Sequence, residues 1–336
     1  MPEMHEAQWY RSGEGGRVLC DLCPHCCQLA PGQKGICRVR ENHQGKLVTR
    51  NYALCSPLAL DPIEKKPLYH FFPGSTILST GTVGCNFRCQ FCQNWQLAHG
   101  EPSLTPLEPG ELTRIARREK DRGCIGIAYT YSEPLVWYEY VLEEARISHE
   151  QGLKNVLVTN GFINEEPLEK LLPVIDAFNI DVKAFNRDFY RKLVKGDYRP
   201  VLRTAQKARE AGCHVEVTNL LVPGLNDGEE EIRRLVDWLA GTLGPDTPLH
   251  FSRYFPHYQL DLPPTPLETL AKAKELAEDK LRYVYLGNAP QLDGSDTYCP
   301  HCGEKVIGRS GYWVNLKGLD GNHCRYCRAL LPIIAA

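Results

Sequence analysis

The stretch Cys85-Asn86-Phe87-Arg88-Cys89-Gln90-Phe91-Cys92 places three thiols within eight residues, directly after an apolar segment that is typical of a strand. Thiolates are the usual ligands of iron–sulfur clusters, and four of them ordinarily hold a four-iron cube. Three thiolates leave one iron open to a small molecule, so the spacing favours a reactive cluster over a plain electron-transfer centre. A partial zinc site or free cysteines are the alternatives, but this loop offers no fourth ligand at the spacing of a zinc knuckle.

The segment around this loop, residues 75–287, alternates short apolar runs with amphipathic stretches. The predicted strands are 77–82, 125–130, 155–159, 177–182, 214–221 and 249–254, and the predicted helices are 109–122, 134–151, 166–172, 198–211, 228–243 and 266–278. This alternation predicts the α/β class, with a parallel sheet covered by helices in the form of a partial (β/α)6 barrel. Reactive groups gather at the carboxyl ends of such strands, where the three-cysteine loop would lie.

Residues 1–74 are predicted to form a cysteine-rich N-terminal extension without regular secondary structure. Cys20, Cys23, Cys27 and Cys37 supply four thiols from two short loops, enough for a zinc ion or a second cluster, with free thiols as the alternative. His25 or Cys26 is a possible substitute for one ligand.

Residues 288–336 contain Cys299 and Cys302, followed after 21 residues by Cys324 and Cys327. Two Cys-x2-Cys knuckles at this separation predict a zinc-ribbon-like tail, with a rubredoxin-like iron as the competing metal. A structural ion would hold together a segment too short to bury a core of its own. The predicted linkers on either side of the barrel are 60–74 and 288–296.

The composition restricts the classes of function and of compartment. The 336 residues are 43% hydrophobic and carry a formal net charge of −2, which favours one large domain with additions and argues against electrostatic binding to nucleic acid or to a membrane. There is no run of 18 apolar residues, and the N-terminus lacks a signal-peptide pattern, so a cytoplasmic protein is expected. The 15 cysteines fall mostly in tight groups, which indicates metal ligation rather than a disulfide scaffold.

The Cys-x3-Cys-x2-Cys motif, with Phe91 before its third cysteine, is similar to the signature of radical S-adenosylmethionine (radical SAM) enzymes. The segments 82–89, 129–134 and 61–67, with the cysteine-rich ends, resemble the radical SAM member of the AmmeMemoRadiSam system over nearly the whole chain. That family is related to the activating enzymes of pyruvate formate-lyase. The resemblance implies that S-adenosylmethionine binds the open iron and that its reductive cleavage gives a 5′-deoxyadenosyl radical, which abstracts hydrogen from a substrate.

Polar residues at the ends of the predicted strands are candidates for binding S-adenosylmethionine. Glu133 follows the second strand, where relatives use a Gly-Gly-Glu motif to accept from the cofactor ammonium; here Tyr131 and Ser132 replace the two glycines, and a solvated loop carboxylate is the alternative. Asn160 follows the third strand, although Asn160-Gly161 is also a turn signal.

Asp181 and Lys183 end the fourth strand, and the alternation of side chains puts both on one face of the sheet. Related activating enzymes use an aspartate and a lysine at this strand to contact the cofactor, while a simple ion pair is the alternative. Asn219 and Arg253, at the ends of the fifth and sixth strands, are candidates for the cofactor ribose or the substrate, with ordinary loop contacts as the alternative.

The sequence leaves three functions open. The favoured one is radical conversion of a small molecule; a second is hydrogen abstraction from a glycine of a partner protein, and the third is a non-catalytic metal-binding scaffold. Either enzymatic function would require an external electron donor such as flavodoxin or ferredoxin.

Overall fold

The computed structural model describes residues 4–335, and its N-terminal region is built from short strands. The prediction that this region lacks regular structure was therefore wrong, because strands of two to four residues are too short to show an alternating pattern. They form two three-stranded antiparallel sheets, β1-β6-β5 and β2-β3-β4. Their bounds are β1 His5–Glu6, β2 Tyr10–Ser12, β3 Val18–Cys20, β4 Gln28–Leu29, β5 Arg40–His43, β6 Lys46–Thr49 and β7 Leu54–Cys55.

An eight-stranded sheet forms the centre of the molecule, in the order β16-β15-β14-β13-β12-β11-β9-β8. All neighbouring strands in it are parallel except the pair β8 and β9. The bounds are β8 Ala59–Pro62, β9 Thr76–Thr80, β11 Cys124–Tyr129, β12 Lys154–Thr159, β13 Ala177–Asp181, β14 His214–Leu221, β15 Leu249–Arg253 and β16 Val284–Gly287; the short β10, Thr105–Pro106, pairs with β7.

The six predicted strands are confirmed as the parallel core of this sheet, and β16 is a seventh parallel strand. Strands β11 to β14 are buried over nearly their whole length, as expected for a sheet with helices on it. The connecting helices are α1 Trp95–His99, α2 Glu111–Arg118, α3 Tyr138–Glu150, α4 Glu165–Leu171, α5 Arg187–Phe189, α6 Tyr198–Glu210, α7 Glu229–Trp238 and α8 Leu267–Glu278. Among the described residues, no helix combines the length and apolarity needed to cross a membrane.

The C-terminal segment, here called the ribbon, consists of β17 Thr297–Tyr298, β18 Lys305–Ser310, β19 Trp313–Asn315, β20 Leu319–Asp320 and β21 His323–Cys324. It is attached to the segment between β8 and β9. Phe72 N donates to Ile334 O at 2.6 Å, and Ile334 N donates to His70 O at 2.8 Å. The buried Arg309 donates through Nη2 to Tyr69 O at 2.7 Å, with its guanidinium 4.2 Å from the centre of the Tyr69 ring. The ribbon is therefore fixed against the connection between β8 and β9 of the central sheet.

Candidate active site

A cavity of about 420 Å³ lies at the carboxyl ends of the parallel strands. Residues at or just after the ends of all seven parallel strands contribute to its wall, which means that the sheet curves around it. The wall includes Cys85, Cys89, Cys92, Tyr131, Glu133, Asn160, Asp181, Lys183, Thr218, Leu220, His250, Ser252 and Asn288. Tyr312 of the ribbon also lines it, so the C-terminal segment reaches the cavity.

The three cysteines of the site loop, residues 85–92, all face this cavity. Arg88 N and Gln90 N donate to Val194 O and Leu193 O at 2.8 and 3.0 Å, which fixes the loop against the turn after α5. Phe87 N donates to Cys85 Sγ at 3.3 Å, the kind of bond that cluster thiolates accept. Burial raises the pKa of Cys89 to about 12, so this thiol ionises only beside a bound cation. One buried thiol, Cys89, and two half-buried ones, Cys85 and Cys92, share one cavity, and three such thiols fit a cluster with three protein ligands.

Two asparagines connect the site loop to the end of β12. Asn160 Nδ2 donates to Asn86 Oδ1 at 2.9 Å and lies 3.7 Å from Cys85 Sγ, while Asn160 Oδ1 accepts from Phe162 N at 2.9 Å. Asn86, which is fully buried, donates to Phe162 O at 2.7 Å. Asn160 thus makes the expected turn and also contacts the Cys85 thiol. Sequence reasoning missed Asn86, although a polar residue between two predicted ligands was a usable signal.

Glu133 is buried, with only 2% of its surface exposed, and is not a solvated loop carboxylate. Its Oε1 accepts from Leu135 N at 3.0 Å and from Thr159 Oγ1 at 2.5 Å, and its Oε2 accepts from Asn160 N at 2.8 Å. Burial raises the pKa of Glu133 to about 7, although these donors oppose the shift. Since a carboxylate has about four acceptor positions, one remains for a ligand in the cavity.

Asp181 and Lys183 both line the cavity, and they also form an ion pair, with Lys183 Nζ 3.0 Å from Asp181 Oδ2. The two interpretations of this strand end are therefore compatible. Burial alone would lower the pKa of Lys183, but the Asp181 carboxylate and the nearby Cys89 thiol raise it above its usual value. Lys183 stays a cation, suited to a carboxylate of a ligand.

Asn219 and Arg253 are not among the residues that line the cavity. Thr218 and Leu220 face the cavity from β14, and His250 and Ser252 face it from β15. Because side chains alternate along a strand, the residues between and after them point to the opposite face of the sheet. Asn219 Nδ2 donates to Val182 O at 2.7 Å. Arg253 Nε donates to Thr265 O at 2.8 Å. Both side chains therefore bond to backbone carbonyls of neighbouring segments, in agreement with the alternative of ordinary loop contacts.

The charged stretch at residues 61–67 forms another part of the cavity wall through Glu64, Lys65 and Pro67. Asp61 accepts from Lys66 Nζ at 2.6 Å and from Tyr131 Oη at 2.7 Å. Burial would raise the pKa of Asp61, but these donors and Lys65 lower it well below its usual range. Sequence reasoning used this stretch only for family resemblance and missed its position in the site.

Tyr131 occupies a position where the Gly-Gly-Glu motif of relatives has glycine, and its surroundings show how a larger residue is accommodated there. It has a φ of 69°, a conformation that favours glycine. Its hydroxyl bonds to Asp61, and Lys66 Nζ lies 4.8 Å from the centre of its ring. These contacts compensate a backbone strain of about 1–2 kcal/mol.

Buried imidazoles and a carboxylate lie behind the cavity on β14 and β15. Glu216, fully buried, accepts from His250 Nε2 at 2.6 Å, from His214 Nε2 at 2.9 Å and from His70 N at 2.7 Å. Burial would raise the pKa of Glu216, but the two imidazole donors lower it well below its usual value. The carboxylate is therefore ionised and orients His250, which reaches the cavity.

The N-terminal thiols lie beside the site loop. Cys20, Cys23 and Cys37 are buried, Cys27 is half-buried and Cys26 is exposed. Burial raises the pKa of Cys20 and of Cys37, and the Arg40 guanidinium partly opposes that shift. The His25 ring bonds through Nε2 to Asn86 O at 2.7 Å, so this nitrogen is already used.

The four C-terminal thiols come together closely. Cys299 Sγ is 3.6 Å from Cys327 Sγ, and Cys302 Sγ is 3.7 Å from Cys324 Sγ. All four sulfurs lie within 4.8 Å of one another. Because a zinc–sulfur bond of about 2.3 Å implies a tetrahedral edge of about 3.8 Å, this group can bind a single metal ion.

Comparisons with known proteins agree with this arrangement. Residues 79–239 match the family model of the radical SAM superfamily. "Uncharacterized protein MJ0808" of Methanocaldococcus jannaschii is 44% identical over 98% of this chain and 100% of its own length. The pyruvate formate-lyase-activating enzyme of Streptococcus mutans is 26% identical over 64% of this chain and 83% of its own length. The crystal structure of Streptococcus suis SuiB bound to S-adenosylmethionine has a TM-score of 0.51 at 17% identity, covering 69% of this chain and 56% of that one, which indicates a shared fold.

Proposed function

The chain belongs to the radical SAM superfamily, whose members are enzymes that use a [4Fe–4S] cluster and S-adenosylmethionine, and we propose that it acts on a small molecule held in the cavity at the strand ends. When bound, cluster and S-adenosylmethionine supply a 5′-deoxyadenosyl radical by one-electron cleavage of the sulfonium, for hydrogen abstraction from the substrate. We further propose that the chain is the radical SAM member of the AmmeMemoRadiSam system, on the resemblance described above.

In this proposal Cys85, Cys89 and Cys92 hold the cluster. The free acceptor position of Glu133 receives the cofactor ammonium, and Lys183 binds the cofactor carboxylate. Asn160 acts as a positioning residue, because it bonds to the turn after β12 and to the site loop. The protein's own contribution is to orient the reactants and to exclude water from the cavity.

The shape and chemistry of the cavity support a small substrate. A volume of about 420 Å³ lies within the usual range for small-ligand sites, and S-adenosylmethionine would occupy part of it. Its wall carries converging polar groups from Lys65, His250, Ser252 and Asn288, which can fix the orientation of a polar molecule. Tyr312 of the ribbon narrows the space that a folded partner would need for access.

A second candidate is activation of a partner protein through a glycine. The similarity to the Streptococcus mutans activating enzyme favours it. About two thirds of this chain takes part in that similarity, so the rest of the chain has no match in that relative.

The catalytic proposal is tested by anaerobic reconstitution followed by addition of dithionite and S-adenosylmethionine. We expect 5′-deoxyadenosine from the wild type and none from Cys89→Ala, because that variant lacks a cluster ligand. An intact wild-type cluster that yields no 5′-deoxyadenosine would refute the proposal.

The role of Lys183 is tested with a matched pair of variants. Lys183→Met should weaken binding of S-adenosylmethionine about 10- to 100-fold, the value of a charge-assisted hydrogen bond of about 1.5–3 kcal/mol. Lys192→Met is the control, because Lys192 also pairs with an aspartate, Asp188 at 3.1 Å, but on an exposed helix face. Equal binding by both variants, measured by calorimetry on the reconstituted protein, would remove Lys183 from the cofactor site.

The class of substrate is tested by fractionating cell extract by size. We expect the low-mass fraction to stimulate 5′-deoxyadenosine formation. Stimulation by the protein fraction alone, with a glycyl-radical electron spin resonance signal on a partner, would favour the second candidate instead.

A further inference from the structure

The N-terminal loops bring the thiols of Cys27 and Cys37 to the edge of one small space. Cys20 N donates to Cys27 O at 3.0 Å, which joins the end of β3 to the start of β4. Cys27 Sγ and Cys37 Sγ lie 3.6 and 3.8 Å from the point where a Cβ on Gly35 would be. Gly35 therefore leaves room between these two sulfurs that any larger residue would fill.

The spacing of these sulfurs differs from that of the ribbon. Within residues 4–335, the ribbon thiols are the only group of three or more potential ligands whose donor atoms all lie within 4.8 Å of one another. A single tetrahedral zinc requires four sulfurs at edges of about 3.8 Å. Cys20, Cys23, Cys27 and Cys37 do not meet that condition, and neither do Cys85, Cys89 and Cys92 of the site loop. Neither of these two sets forms a group as compact as that of the ribbon, and thiolates bound to different iron atoms of one cluster do not need to be so close together.

Arg40 provides an independent observation at the same place. Its side chain is 1% exposed and pairs through Nη2 with Glu139 Oε1 at 2.5 Å, while Nη1 donates to Gln8 O at 2.8 Å. Its Nε is buried without a hydrogen-bond partner among the described residues. A buried N–H donor on a cation next to Cys37 is suited to an anionic group of thiolates and sulfides, which accept such bonds.

The N-terminal loops also contact the site loop directly. His25 Nε2 donates to Asn86 O at 2.7 Å, and Arg88 donates to both Cys85 O and Ile36 O. Gly84 has a φ of 103°, and a Cβ there would lie 3.0 Å from Cys37 O. The backbone of Cys37, the last cysteine of the N-terminal set, is therefore packed against Gly84, which precedes the first cysteine of the site loop.

We propose that Cys20, Cys23, Cys27 and Cys37 hold an iron–sulfur cluster, and not a zinc ion, in direct contact with the site loop. The proposal stands apart from the choice of substrate. It assigns two iron–sulfur centres and one mononuclear centre to this chain.

The first test is the metal content of wild-type protein, purified anaerobically from iron-replete cells without reconstitution. Two cubes and one zinc predict about eight iron, eight sulfide and one zinc per chain. About six iron with one zinc would also support the proposal, because four thiolates can hold a two-iron cluster. Two zinc with four iron would overturn it.

The second test separates the two centres with variants. Protein with Cys85, Cys89 and Cys92 all changed to Ala should keep about half of its iron and sulfide, together with an iron–sulfur absorption band. Cys23→Ala should lose the other half, and Cys26→Ala, which changes the exposed thiol outside the set, should lose none. If the triple variant retains zinc but no iron, the proposal fails. Should Cys23→Ala fail to fold, the wild-type and triple-variant counts still decide the question.

Discussion

The two cysteine-rich ends of this chain carry the same Cys-x2-Cys element but differ in how they join the rest of the molecule. The N-terminal strands contribute Val18, Leu29 and Leu47 to the main core, and the loop after β3 contributes Leu22. The ribbon has a separate small core that contains two of its own thiols, Cys299 and Cys324. The ribbon sulfurs are close enough for one ion, whereas the N-terminal sulfurs are more widely spaced. Local spacing in sequence thus predicts metal ligation at both ends, and we expect the packing around the loops to decide which kind of centre forms.

The largest effect should come from removing the ribbon metal. Cys302→Ala should lose about one zinc per chain and unfold residues 297–331, since structural zinc contributes on the order of 10 kcal/mol to such small units. Because the ribbon core is separate, the central sheet should keep its protection. Hydrogen exchange, comparing the ribbon with β11 to β14, measures both effects. A ribbon that stays protected without zinc would mean that its contacts with the barrel suffice.

The next effect concerns the buried charge that holds the ribbon on the barrel. Arg309 Nε lies 3.8 Å from Glu64 Oε1, and both side chains are almost fully buried. Arg309→Met leaves Glu64 buried without a counter-charge and should cost about 3–5 kcal/mol. Arg328→Met, which removes an exposed pair with Asp320, should cost only about 0–1 kcal/mol. Urea unfolding under anaerobic conditions tests this, and equal costs would contradict it.

The sequence predicted the parallel core of the fold but not its edges. Strand β16 was missed, because four apolar residues cannot be assigned to a strand by periodicity alone. Strand β8 ends at Pro62, inside the predicted linker 60–74, and proline is tolerated there because β8 lies at the edge of the sheet. The short N-terminal strands pair with partners distant in sequence, so local patterns could not reveal them.

The candidate site could be predicted where chemistry and alternation agreed. Asp181 and Lys183 both line the cavity, whereas Asn219 and Arg253 lie one residue away from Leu220 and Ser252, which line it instead. A shift of one residue moves a side chain to the opposite face of a strand. Asp61 and Glu216 could not be found from the sequence, because their roles depend on contacts between distant segments.

A smaller effect compares glycines in the two regions. Gly84 and Gly311 both have positive φ, but a Cβ on Gly84 would lie 2.7 Å from Val39 Cγ1, while one on Gly311 meets open space. Gly311→Ala should lower the free energy of unfolding by about 1 kcal/mol, because only the backbone conformation is strained there. Gly84→Ala adds overpacking and should cost about 2–4 kcal/mol in total. It should also lower cluster occupancy, measured by iron content. Equal costs would mean that the N-terminal loop is not tightly packed on the site loop.

The smallest effect is a pH dependence at the contact between ribbon and barrel. His70 Nδ1 lies 3.1 Å from Pro332 O and must donate to it, so the neutral ring accepts at Nε2 from Tyr285 Oη at 2.7 Å. Burial lowers the pKa of His70 to about 3, although the nearby Glu216 opposes the shift.

Since the usual histidine pKa is about 6.5, the unfolded chain binds one more proton than the native one between about pH 6 and 3.5. Stability should therefore fall by about 1.4 kcal/mol per pH unit as the pH drops through this window, and His70 should add no dependence above about pH 7. In His70→Gln, the free energy of unfolding should no longer fall by this amount between pH 7 and pH 5.5, because the proton uptake of the unfolded chain at this position is lost. Urea unfolding at the two pH values measures the change. His323→Gln, at an exposed histidine of the ribbon, is the control. Any loss of metal at low pH should affect both variants equally, so the difference between them reports on His70. Identical pH dependences of the unfolding free energy would show that protonation of His70 does not weaken the attachment of the ribbon.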